Sequence, residues 1–151
     1  MATTPDPFLT DLPSLRMLSP MAKLPGRGPF IADCVVAIVF ALMMFFSAST
    51  KLTQNPATVK SIHETIGVPL SLFPVLAGLQ IAGGLGLVAG ILRPLIGAAA
   101  GAGFILYFIG AITAHVLAAD FGGLKAPIMP FVLSVTAFWL RVASMRRVTA
   151  A

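Results

Sequence analysis

Three polar side chains stand inside apolar runs of this sequence: Gln80, Tyr107 and His115. A histidine exchanges protons near neutral pH, and an amide or a phenol can hydrogen-bond a carbonyl oxygen. In hydrocarbon each of these groups is costly unless it has a partner. Two arrangements meet that demand. In one, the three line a pocket for a lipid-soluble molecule with a polar head, a quinone or a lipid, capped by the loop over residues 51–72. In the other, Gln80 and Tyr107 bond each other across two helices, and His115 is a surface residue. A second polar set, Lys51, His63, Glu64, Asp120 and Lys125, lies towards the ends of the apolar runs, where contact with lipid head groups is its plainest role.

Other chemistry finds no support. The two histidines and five carboxylates have no metal-ligand spacing. No GxSxG, GxGxxG, P-loop or HExxH occurs, so neither a catalytic residue nor a metal is expected. The single cysteine, Cys34, can form no intramolecular disulfide and no CxxC redox pair, and reads as a small buried hydrophobe.

The elements that must position these residues follow from composition. The chain is 58% hydrophobic and 10% charged, with a mean hydropathy of +0.97. Soluble domains carry roughly a quarter charged residues, so this composition belongs to an integral membrane protein. Its 151 residues suit four spans of ~20 residues each. The net charge of +5 sits at the ends of apolar runs and not in a patch interleaved with aromatics. Nucleic acid is therefore not an expected partner.

Residues 1–29 hold six prolines and little periodicity, and read as a polar, disordered tail with one short interfacial turn at Leu15, Met17, Leu18 and Met21. The first span is expected from Phe30 to about Ser49. It is too long, and too far behind a polar tail, for a cleaved signal peptide. Asp33, one turn inside, reads as an interfacial anchor that can reach water or a basic partner. A short amphipathic helix is predicted in the loop, with Val59, Ile62 and Ile66 on one face, Thr58 or Pro56 at its start and Gly67 at its end. The second span is expected over Phe73–Leu92 and the third over Leu95–Ala118, joined so tightly at Arg93-Pro94 that they form an antiparallel hairpin. The fourth runs over Pro127–Ala143. There Pro130 is expected within the first turn, and Arg141 as a base snorkelling beside Trp139. Residues 144–151 form a basic tail. The fold class is thus all-α, a transmembrane four-helix bundle with one amphipathic loop helix.

Within the second span Gly78, Ala82, Gly86 and Gly90 recur every four residues. They are predicted to form a bare ridge that meets Gly97 and Gly101 of the third span, making spans two and three the tight centre. With four spans both termini share one side, which carries Arg16, Lys23, Arg27, Arg93, Arg141, Arg146 and Arg147 against Lys51, Lys60 and Lys125 opposite. Seven bases against three place both termini in the cytoplasm.

The order of features over Phe30–Val142 resembles the DoxX-like family: a first span ending FSASTKL, a loop closing IGVP, a glycine-rich second span, RPL at the hairpin, a third span ending ITAHVLAAD, and a fourth capped by LR. In relatives the position of Gln80 is often glutamate, so this chain keeps a polar group and drops the charge. The resemblance implies a multi-pass protein of a bacterial inner membrane. Founding relatives are membrane subunits of a thiosulfate:quinone oxidoreductase, actinobacterial relatives look like scaffolds for soluble redox enzymes, and animal relatives act as receptor-assembly chaperones. Three roles follow: a non-catalytic anchor or assembly partner of a redox-linked complex, alone or as a homo-oligomer; a quinone-binding subunit; a small lipid-binding or transport protein. No cofactor other than a quinone is implied.

Overall fold

The computed structural model of the chain describes residues 27–149. The predicted interfacial turn near Leu15 lies outside the described residues, as do the side chains of Arg27, Arg146 and Arg147. Four long helices carry the spans: α1 (Arg27–Leu52), α3 (Phe73–Ala89), α4 (Pro94–Leu117) and α5 (Lys125–Thr149), with a short α2 (Pro56–Val59) between the first two. Each long helix contains a stretch apolar and long enough to cross a bilayer. Their large apolar side chains face outward: Phe46 is 74% exposed, Leu95 76% and Leu117 83%. Water would not tolerate such a belt, and lipid does.

The loop helix opens at Pro56 and ends at Gly67, as expected, but its cap and its coil differ. Asn55 caps it, not Thr58: its Oδ1 accepts from the Ala57 N–H at 3.0 Å, with Pro56 in the first turn. Beyond Val59 the coil widens into a π-helix over Lys60–Thr65. It stops at Gly67, whose φ of +83° is the left-handed conformation open to glycine. One 3₁₀ turn (Leu70–Leu72) then leads into α3.

Round the bundle the order is α1, α3, α4, α5, with α5 closing against α1. The broadest contacts are α1 with α3 and α4 with α5, not the α3–α4 hairpin. The expectation of a tight centre at spans two and three is therefore corrected. Aromatic packing fills the middle: the Phe40 ring lies 4.9 Å from Phe104 and 6.4 Å from Phe108. Gly83 makes room for the Phe104 ring and Gly84 for Phe45, since a Cβ on either glycine would come within 3.0 Å of those rings.

The predicted ridge holds only in its second half. A Cβ on Gly86 would lie 2.8 Å from the Ala100 Cβ, and Gly90 meets the Gly97 backbone. Gly78 and Ala82 face outward, and a Cβ on Gly78 would meet nothing. Positions four apart drift by about 40° on a 3.6-residue helix, so the stripe turns through about 120° between Gly78 and Gly90. Gly101 likewise turns to α5, where a Cβ would lie only 3.1 Å from the Phe138 Cα.

At the hairpin end Arg141 is 2% exposed, so it does not snorkel. Its Nη1 lies 3.0 Å from Asp33 Oδ2 and donates to the Gly90 carbonyl at 2.6 Å. One guanidinium thus joins α5, α1 and the end of α3. Gly97, by lacking a side chain, leaves space for its aliphatic stem. Buried charge demands a partner, and Asp33 is that partner in place of water.

Gly90→Leu should drive α3 and α4 apart and lower the melting temperature in detergent by many degrees, since overpacking costs about 1–3 kcal/mol or more. Gly78→Leu should leave it unchanged; equal losses would contradict the packing described. Asp33→Asn should destabilise the bundle by about 3–5 kcal/mol, the cost of stranding a buried charge. Unaltered detergent unfolding would show that Arg141 does not need Asp33.

Candidate functional site

The other end of the bundle does not close. Between the helices, under the segment from α2 to the start of α3, lies a cavity of about 540 Å³. That size falls within the ~300–1,000 Å³ range of small-ligand sites. Its walls are largely apolar, with Met44, Leu76, Leu106 and Phe108 from the long helices, and Ile62, Ile66, Val68 and Leu72 from the covering segment. Gln80, Tyr107, His115 and Lys51 contribute polar groups to the same walls.

Proline explains part of the opening. Pro127 and Pro130 are buried and line the cavity from α5. Pro130 falls in the second turn of α5, not the first, and supplies no N–H for the Ala126 carbonyl. The glycine Gly110 and the alanines Ala111 and Ala114 on α4 add little bulk, so the space is left unfilled.

Gln80 is 2% exposed and does not bond Tyr107. Its Nε2 donates to Ser47 Oγ at 3.2 Å and approaches the Met44 sulfur at 3.8 Å, while its Oε1 is buried without a hydrogen-bond partner in the protein. The expected Gln80–Tyr107 pair fails because α1, not α4, supplies the neighbour: Ser47 and Met44 reach Gln80 across the broad α1–α3 contact. Tyr107 instead packs edge-on against Phe108, ring centroids 5.1 Å apart.

Lys51 is 6% exposed at the end of α1. Its Nζ donates to Ser47 Oγ at 3.0 Å and contacts the Ser47 carbonyl at 3.4 Å. Ser47 therefore joins Lys51 to Gln80. Sequence reasoning does not single out Ser47, although its place four residues before Lys51 puts both on one helix face.

His115 is buried, not a surface residue. Its Nδ1 lies 2.9 Å from Asp120 Oδ2, and Asp120 Oδ1 accepts from the Gly123 N–H at 3.0 Å. The α4–α5 loop is thereby folded over its own histidine. A carboxylate accepts, so it favours the proton on Nδ1 and leaves Nε2 as the nitrogen able to meet a ligand. The rest of the predicted polar set disperses. His63 turns back to the Val68 carbonyl at 2.9 Å, and Glu64 and Lys125 are exposed. Among the described residues no group of three His, Cys, Asp or Glu side chains could hold a metal.

An apolar belt on four spanning helices, enclosing a cavity with a few inward polar groups, defines a multi-pass integral membrane protein. The sequence pattern of the DoxX-like family matches residues 35–138, most of the bundle, and the chain belongs to that family. Neither the curated proteins nor the solved structures include a match to it.

Proposed function

We propose that the protein is a membrane subunit that holds a lipid-soluble ligand with a polar head, of quinone or lipid type, in the cavity at its loop end. The observation that carries this is the cavity itself, about 540 Å³ with Gln80, Tyr107, His115 and Lys51 on its walls. A structural filler at this position would be solid, because membrane bundles gain their stability from close packing. The polar groups can orient a head group by hydrogen bonds. No residue trio with the geometry of a nucleophile and its base is part of the reading.

A second role, anchoring or assembly, is favoured by a separate observation. Gly78 and Gly103 face outward on adjacent helices, with open space where a Cβ would lie. Another helix could approach closely there, from a partner subunit or a second copy. The two roles are compatible.

The orientation proposed for the chain has both termini in the cytoplasm and the cavity towards the opposite face, from the unequal distribution of lysine and arginine. A reporter fused after Ala151 should be active only in its cytoplasmic form; periplasmic activity would reverse the topology. Ala114→Phe should fill the cavity. Lipid-soluble material extracted from the purified variant should lose the component found at stoichiometric level in the wild type, at unchanged melting temperature. The same component in both would remove the cavity as its site.

A further inference from the structure

Resting on that reading, we infer the charge of the head group: the cavity takes an acyl-chain amphiphile with an anionic head, seated on Lys51. The two ion pairs of the described residues are His115–Asp120 and Arg141–Asp33, and neither includes Lys51. Its side chain is nevertheless 6% exposed, between the cavity and a neighbouring cleft, with Ser47 as its hydrogen-bond partner. The end of α1 lends roughly half a negative charge at most, which leaves a buried cation undercompensated. Buried charges in proteins are paired, and a ligand can be the missing partner.

The surroundings have the polarity of such a ligand. Lys51, Ser47, Ser61 and Ile62 form a wall shared between the apolar cavity and a smaller open cleft of about 240 Å³, whose other sides include Thr50 and Thr58. A charged head at this boundary meets the ammonium and hydroxyls, while its chain runs along Leu76 and Phe108. Gln80 adds a second contact. The Ser47 hydroxyl accepts from Lys51 and can donate to the Gln80 carbonyl oxygen, so the amide can turn its NH₂ to the head group.

Purified full-length protein in a neutral detergent would be titrated with radiolabelled palmitate, with methyl palmitate and decylubiquinone as uncharged probes. Palmitate should bind, and Lys51→Met should weaken it by about tenfold or more, the size of one lost charge-assisted contact, with Lys51→Arg close to wild type. Thermal unfolding of both variants would confirm that they fold. Uncharged probes that bind as tightly as palmitate, and equally in Lys51→Met, would overturn the anionic head while keeping the cavity reading. No binding of any probe, with Ala114→Phe indistinguishable from wild type, would overturn both. Mass spectrometry of lipid retained through purification separates the sources. A free fatty acid or an anionic phospholipid, each lost in Lys51→Met, supports the assignment and names its origin, whereas retention of neutral lipid alone contradicts it.

Discussion

A guanidinium sealed inside a membrane bundle has neither water nor head groups to satisfy it. Arg141 meets this constraint by drawing Asp33 of α1 and the Gly90 carbonyl of α3 to one point, beside the glycine-to-glycine approach of Gly90 and Gly97. That end of the bundle is therefore closed by charge and by backbone contact together. Because three helices are pinned there, the fold does not need to be closed at the other end as well. The loop end is free to splay, and the space between the helices becomes a cavity and not a packing defect.

The two ends thus handle buried polarity in opposite ways. At the hairpin end the charges match within the protein. At the loop end Asp120 is committed to His115, while the Lys51 ammonium and the Gln80 oxygen are left incompletely satisfied around shared Ser47. Unsatisfied polar groups in a low-dielectric interior cost free energy, and they persist where something outside the chain completes them. Membership of the family defines the bundle and not a ligand, so the proposed head group rests on these side chains.

Much of the fold is legible in the sequence. Hydropathy runs locate all four spans, Gly67 marks the end of the loop helix, and Arg93-Pro94 fixes the hairpin. What resists is rotation about each helix axis. Hydrophobic periodicity reports a face when the alternative is water, but in lipid both faces are apolar and the signal fades. Hence the four-residue spacing carries the glycine ridge two turns too far, to Gly78, and depth alone pairs Gln80 with α4 instead of with Ser47 on α1. Arg141 looks interfacial from sequence because its position gives depth along the helix but not direction. Asp33, also about one turn inside the same face, is the available hint that the two charges meet.

The most direct measurement is electron cryomicroscopy of the protein in lipid nanodiscs, read at the loop-end cavity. The account predicts elongated density along Leu76 and Phe108, with its compact end within hydrogen-bond distance of Lys51 Nζ and the Gln80 amide. Helices collapsed onto one another there, with Lys51 turned out to the head groups, would contradict it.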